Sequence, residues 1–392
     1  MRRTMTVIVI GWIVILAGCL PGAPDDGERE EVVEQEESDE QVLISRDINT
    51  SERYYRSILP YTPGASRGFI LNGVANRLDI DQFDTGLMRL AQETFDPDQY
   101  FYREGQLLDE SQIQSWIDRA DESEEGLNQA LGVDASASVK EKLEAHKEHP
   151  KVLSYILEQN YMVKKKDDTL TLGGIVIGLS LNSIYYYTVQ DEQGRFHSGE
   201  VDLRDDLSGL TQSGKEMAQH VIRHIRGMEE GSDVPITVAI YLEEAEESLI
   251  PGRFIAMTSV AADESEISSW QELDERHYLF PSSEVVNDHR SDAEQFENFK
   301  AKIEDFFPNF TGVIGRGFYK NGELQHMVID ISMQFYGKAE IIAFTQYVTD
   351  LVDSQSFSND VPLEVTISSL NQQESLIVKT VDMEEPYVHI YR

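Results

Sequence analysis

The feature that most constrains this chain is a string that occurs twice. Asp233-Val234-Pro235-Ile236-Thr237-Val238-Ala239-Ile240 returns as Asp360-Val361-Pro362-Leu363-Glu364-Val365-Thr366-Ile367, 127 residues later. Glu247-Ser248-Leu249-Ile250 returns as Glu374-Ser375-Leu376-Ile377 at the same offset. Each Asp-Val-Pro follows a helical pattern, over 213–228 and over 339–352, and each helix follows alternating, β-branched segments. The expected fold is therefore α+β. A duplicated strand–strand–helix–strand–strand unit builds mixed or antiparallel sheets, each with a helix on one face.

The N-terminus is organised differently. Arg2 and Arg3 precede an apolar run that ends in small residues, the layout of a secretory signal peptide. The run is too short for a transmembrane helix, which needs roughly 20 apolar residues, and Pro21, Gly22 and Pro24 follow at once. Its last residues, Leu16-Ala17-Gly18-Cys19, resemble the lipobox of bacterial lipoproteins. That resemblance implies cleavage before Cys19 and a diacylglyceryl thioether on it. Two acyl chains hold a protein on a bilayer where one does not, at about 0.8 kcal/mol per buried methylene. Cys19 is the only cysteine, so its lipidation leaves no disulfide to staple the fold.

The formal charge is −38. It disfavours nucleic acid, whose phosphates need Lys and Arg, and disfavours lying flat on an anionic membrane. Eight acids fall within 28–40, so 19–45 reads as a disordered acidic tether. As a coil it spans roughly 30 Å. Residues 46–168 read as mainly helical, with helices expected near 51–59, 74–95, 113–120 (capped by Asp109), 139–147 and 152–159. From 169 the period becomes two, with Gly173-Gly174 and Gln193-Gly194 as breakers. The first α+β repeat is expected over 169–262. A linker with one helix follows over 263–311, and the second repeat over 312–392.

Chemical motifs are weak. Gly64-Ala65-Ser66-Arg67-Gly68 fits G-x-S-x-G, but that pattern needs a strand before it and a helix after it, and here Pro60 and Pro63 precede it. His220 and His224 are four apart on a helix, yet Val221 stands where a zincin carries glutamate. His146 and His149 read as ordinary imidazoles. Asp79, Asp81 and Asp84 fail the calcium-loop pattern at its sixth and twelfth positions, Asp84 and Leu90, and read as charges at a helix start. Gly312, Gly315 and Gly317 lack a phosphate-loop lysine and read as strand. No enzyme, metal or cofactor is expected. One set stands out where basic residues are scarce: Arg53, Tyr54, Tyr55, Arg56, Tyr61 and Arg67, a candidate groove for a peptide or anionic ligand.

Several strings together resemble the CamS family of Gram-positive lipoproteins. They are Tyr54-Tyr55-Arg56 with Leu59-Pro60-Tyr61; Arg67-Gly68; Asn76-Arg77-Leu78-Asp79 with Gly86-Leu87-Met88-Arg89; Glu104-Gly105-Gln106; and Trp116 with Arg119. Gly178-Leu179-Ser180-Leu181-Asn182, Pro251-Gly252-Arg253-Phe254 and 312–318 complete the set. The resemblance implies a lipoprotein on the outer face of the cytoplasmic membrane, handled by lipoprotein-processing enzymes and held by lipidated Cys19. It also implies that the apolar end of the signal peptide, here Trp12-Ile13-Val14-Ile15-Leu16-Ala17-Gly18, is released as a hydrophobic conjugation pheromone. The alternative is a cell-surface binding module for a peptide or cell-wall ligand, with the signal peptide serving for targeting alone.

Overall fold

The computed structural model describes residues 31–392 except 36–37, 46–53, 71–73, 307–311, 355–360 and 370–371. The signal segment, the lipobox Leu16-Ala17-Gly18, Cys19 and Arg53 lie outside the described residues. In chain order the elements are β1 (Glu31–Gln35), β2 (Ser38–Ile44), β3 (Ile58–Leu59), α1 (Arg77–Ala91), β4 (Tyr100–Glu104), α2 (Glu110–Ile117), α3 (Val139–Glu148), β5 (Leu153–Lys164), β6 (Thr169–Leu181), β7 (Ile184–Gln190) and β8 (Phe196–Asp202). Then come α4 (Leu207–Arg226), β9 (Ile236–Leu242), β10 (Arg253–Val260), β11 (Gln271–Glu272), β12 (Glu275–Phe280), α5 (Ser283–Asp288), α6 (Arg290–Phe306), β13 (Gly312–Lys320), β14 (Glu323–Ser332), α7 (Lys338–Ser354), β15 (Leu363–Ser369), β16 (Gln372–Lys379) and β17 (Tyr387–Ile390). No helix among the described residues is long and apolar enough to cross a membrane.

The fold is α+β, with two mixed sheets built on one plan. In the first, β5 pairs antiparallel with β6, β6 parallel with β9, and β9 antiparallel with β10. In the second, β13, β14, β15 and β16 repeat that sequence of pairings. Each parallel pair is joined through a helix, α4 or α7, because parallel strands need a long crossover. The doubled Asp-Val-Pro opens the equivalent strand in each sheet. Pro235 O accepts from Ile175 N at 3.1 Å, and Pro362 O accepts from Met327 N at 3.0 Å. A proline lacks the N–H but keeps the carbonyl, so it can stand at a strand start and still accept. The second echo does not hold. Residues 247–250 lie in the connection between β9 and β10, whereas 374–377 lie inside β16.

The two sheets differ in how they are covered. A side chain at Gly178 would strike Phe83 of α1, whereas Leu181 and Ile240 meet Gly214 of α4. Alternate strand residues point to opposite faces, so α1 and α4 cover both sides of the first sheet. That corrects the expected single covering helix and explains why all seven residues of β9 are buried. In the second sheet β15 alternates between buried and partly or fully exposed residues over 363–368. Helices α6 and α7 share its inner face, where Phe306 meets Phe344 and Tyr347 at ring separations of 5.4 and 4.6 Å.

Other expectations shift as well. The helix expected at 152–159 is β5, part of the first sheet, so the repeated unit starts near 153 and the segment 46–168 also holds β3 and β4. The helix expected at 51–59 is absent from its described residues, where β3 stands. Acidic residues expected in the tether form the β1–β2 hairpin, and β1 continues parallel to β6. The expected linker supplies β12 to the second sheet and Phe296, Phe299 and Ile303 of α6 to its core. Gly174 does not break β6: a Cβ there would meet Phe95 at 2.1 Å, so the glycine makes room for a ring. Strands β7 and β8 form a separate hairpin.

Candidate functional site

The arginine and tyrosine set is divided by the fold. Tyr55 is core: its hydroxyl donates to Phe95 O at 2.6 Å and its ring meets Tyr161 edge-on at 4.7 Å. Arg56 lies over Phe101 at 4.7 Å, and Tyr54 is exposed. Tyr61 and Arg67 come together, with the guanidinium 5.1 Å from the ring centre. They belong to a loop running from Pro60, through turns over 65–69, towards α1.

Glu104, at the end of β4, fastens that loop. Tyr61 Oη donates to one of its carboxylate oxygens and Gly64 N to the other. Gln106 Nε2 donates to Pro63 O at 3.0 Å, and Ala65 N to Gly105 O at 2.9 Å. Burial, reinforced by Glu104, pushes the Tyr61 hydroxyl up to about 12. The stretch 64–68 therefore forms successive turns and is no strand-to-helix elbow; Ser66 points to Tyr155.

Beneath the loop lies a cavity of about 290 Å³. Its walls are Gly64, Ser66, Arg67 and Gly68 from the loop, Ile80, Asp81, Asp84 and Thr85 from α1, Tyr102 and Glu104 from β4 with Gly105 just after it, and Tyr155, Leu157 and Glu158 from β5. Four carboxyl groups thus face one guanidinium. Glu158 is 3% exposed and spoken for. It accepts from Leu107 N at 3.0 Å, Leu108 N at 2.8 Å and Asn160 Nδ2 at 2.6 Å, holding the turn before α2. Asp84 accepts from Gln159 Nε2 at 2.7 Å, and burial with Glu104 and Asp81 nearby raises its pKa. The carboxylates make the cavity suited to a cationic group, whereas Arg53, Tyr54, Tyr55, Arg56, Tyr61 and Arg67 taken as a set point to a peptide or anionic ligand. Sequence reasoning missed Asp84, Glu104 and Glu158 because they come from three separated elements. The string Glu104-Gly105-Gln106 was the available signal.

Asp79, read as a charge at a helix start, does stand in the first turn of α1, and it also ties that helix to the connection between β9 and β10. Asn76 caps α1 by accepting from Leu78 N at 2.9 Å, and donates to Ala245 O at 3.0 Å and Ser248 O at 3.2 Å. Asp79 is fully buried. It accepts from Tyr241 Oη at 2.7 Å, Glu244 N at 2.9 Å and Gly252 N. Burial pushes its carboxyl up to about 6 against those hydrogen bonds. A Cβ on Gly252 would lie 2.0 Å from Leu242 O, so the tight connection between β9 and β10 needs glycine. The histidines pack. His220 and His224 meet Trp116 edge-on at 6.1 and 4.9 Å, and His146 stacks on Tyr187 at 5.0 Å.

Residues 61–385 match the family described as CamS sex pheromone cAM373 precursor. A crystal structure of a sex pheromone precursor from Lactobacillus salivarius subsp. salivarius UCC118 is similar at 28% identity and a TM-score of 0.76, covering 90% of this chain and 99% of that one. The C-terminal domain of the sex pheromone staph-cAM373 precursor from Staphylococcus aureus is similar at 28% identity and a TM-score of 0.68, covering 82% and 99%. No protein of curated function matches.

Proposed function

The chain belongs to the CamS sex pheromone precursor family, and from that premise we propose that it is a lipid-anchored protein on the outer face of the cytoplasmic membrane whose signal peptide is the pheromone source. The observation that carries this reading is the join of a family match over 61–385 to Leu16-Ala17-Gly18-Cys19 behind an apolar run. Cleavage before Cys19 frees the run, and Trp12-Ile13-Val14-Ile15-Leu16-Ala17-Gly18 is uncharged and apolar, as a peptide entering an apolar receptor pocket must be. The role is non-catalytic. The test is the mass of the N-terminal peptide of protein extracted from its native membrane. A diacylglyceryl-modified Cys19 is expected. A chain that keeps residues 1–18, or an unmodified N-terminus, would overturn the reading. Synthetic Trp12-to-Gly18 peptide should then induce mating in a conjugation assay, and silence at every concentration would remove the pheromone role.

The acid-lined cavity supports a second role for the folded part, binding a cationic group of a peptide or cell-wall fragment. Isothermal titration with trilysine should give saturable heat that Glu104→Gln weakens. Equal heats from both chains would refute it.

A further inference from the structure

A different cavity, of about 440 Å³, lies where the first sheet meets the second. Arg204 precedes α4, Arg253 opens β10 and Arg276 stands on β12. This convergence is unexpected in a chain with 33 basic and 71 acidic residues. Two of the three are occupied. Arg204 donates to Asp202 at 2.6 Å and lies 3.9 Å from Glu244, and Arg276 reaches Asp288 at 3.4 Å. Arg253 is half-buried, and its guanidinium makes no hydrogen bond or ion pair with a described residue. Burial and then Arg276 press its pKa down, against the opposing pull of Glu244, Tyr278 and Asp274.

Its backbone is held still. Gly252, the residue before it, donates its N–H to Asp79 and accepts from His277 Nδ1 at 2.9 Å. A desolvated cation without an acceptor is costly, and a guanidinium on a fixed strand end presents a fork of donors that matches an oxyanion. The other walls decide which oxyanion. Glu244, Glu284 and Asp288 line the same cavity, so a phosphate dianion would meet like charge. A single carboxylate with an ammonium group meets charges of both signs. Leu207, Ile250 and Pro251 supply apolar wall for side chains.

We propose that this cavity is a binding site for a short peptide or amino-acid zwitterion, whose carboxylate pairs with Arg253 beside Arg276 and whose ammonium faces Glu284 and Asp288. The site is separate from the cavity under the Tyr61 loop and does not depend on pheromone release. The test is isothermal titration of the full chain in detergent, at fixed ionic strength, with trialanine, trialanine amide and inorganic phosphate. Trialanine should bind saturably, and the amide roughly tenfold more weakly or worse, since it lacks the carboxylate. Arg253→Met should abolish trialanine binding while melting no lower than the parent chain without ligand, because it removes a half-buried charge that makes no hydrogen bond or ion pair with a described residue. Arg276→Gln should weaken binding independently, so the test stands if Arg253→Met does not fold. Absence of trialanine binding at millimolar concentration, tighter binding of phosphate than of trialanine, or an Arg276→Gln chain that binds unchanged would overturn the proposal.

Discussion

Glu243 should make this protein less stable as pH rises through neutrality. It follows β9 directly, is 3% exposed, and accepts hydrogen bonds from Ser154 Oγ and, at 2.6 Å, from Ser180 Oγ. Burial is the dominant influence on it, with nearby Asp79 adding to it; together they push the carboxyl from 4.5 up to about 8 against the two seryl hydrogen bonds. Between those values the folded chain keeps a proton that the unfolded chain has released. The unfolded state therefore binds fewer protons, and stability falls as pH climbs from 4.5 through 8. At pH 7 the penalty is about 2.5 pH units at about 1.4 kcal/mol each, or about 3.5 kcal/mol. At pH 5 it is below about 1 kcal/mol.

Glu243→Gln removes the titration and keeps an oxygen for both serine hydroxyls. Urea denaturation of the parent and variant chains at pH 5 and pH 8, followed by far-ultraviolet circular dichroism, reads the effect. The variant should match the parent within about 1 kcal/mol at pH 5 and exceed it by about 3 to 4 kcal/mol at pH 8. Groups that titrate in both chains cancel in the difference. A stability difference that is the same at both pH values would refute the argument, because it would mean that Glu243 is ionised in the folded chain throughout.

Three further outcomes follow from the packing. Gly252→Ala places a Cβ 2.0 Å from Leu242 O and should cost about 3 kcal/mol in urea denaturation. Arg119 is 1% exposed and donates to Gln129 O, His149 O and Tyr185 Oη at 2.9, 2.8 and 3.0 Å; Arg119→Met leaves buried acceptors unpaired and should cost about 3 kcal/mol by the same measurement. Glu104→Ala should speed hydrogen exchange at the Gly64 amide, with global stability changed by less than about 1 kcal/mol, because the hydrogen bonds it removes fasten one surface loop.

The sequence was most legible where one strand face or one cap decides the outcome. Asp109 caps α2 through Gln112 N at 2.9 Å, as its spacing predicts. The Asn321-Gly322 turn has φ of 54° and 78°, the left-handed pair that a tight hairpin requires. Strand β5 was misread because it is buried on both faces and buries polar Ser154, Glu158, Gln159 and Asn160 beside Tyr155 and Ile156, so its sequence has no period of two to separate strand from helix. The cavity acids were illegible for another reason. Asp84, Glu104 and Glu158 acquire a common environment only when α1, β4 and β5 pack, and neither period nor spacing encodes that meeting.

The short strings that carry the family resemblance look unrelated along the chain, and the fold explains why they travel together. Asn76 and Asp79 of one string hold Ala245, Ser248 and Gly252, and Gly252 sits in another string about 170 residues away. Glu104 and Gly105 hold the loop that carries Tyr61 and Gly64. Ser180 of a further string donates to Glu243, beside the backbone that Asp79 fixes. The strings at Asp79, Ser180 and Gly252 each hold one half of a buried polar lock whose other half lies far away in sequence. Such locks are costly when half-made, since a buried carboxylate or amide without its partner loses its solvation for nothing. A chain that keeps one half is therefore obliged to keep the other. The Asp79 lock ends at Gly252, so it also fixes the strand end from which Arg253 projects. The residues that stabilise the first sheet thereby set the position of the one guanidinium in the seam cavity that is left without a hydrogen-bond or ion-pair partner among the described residues.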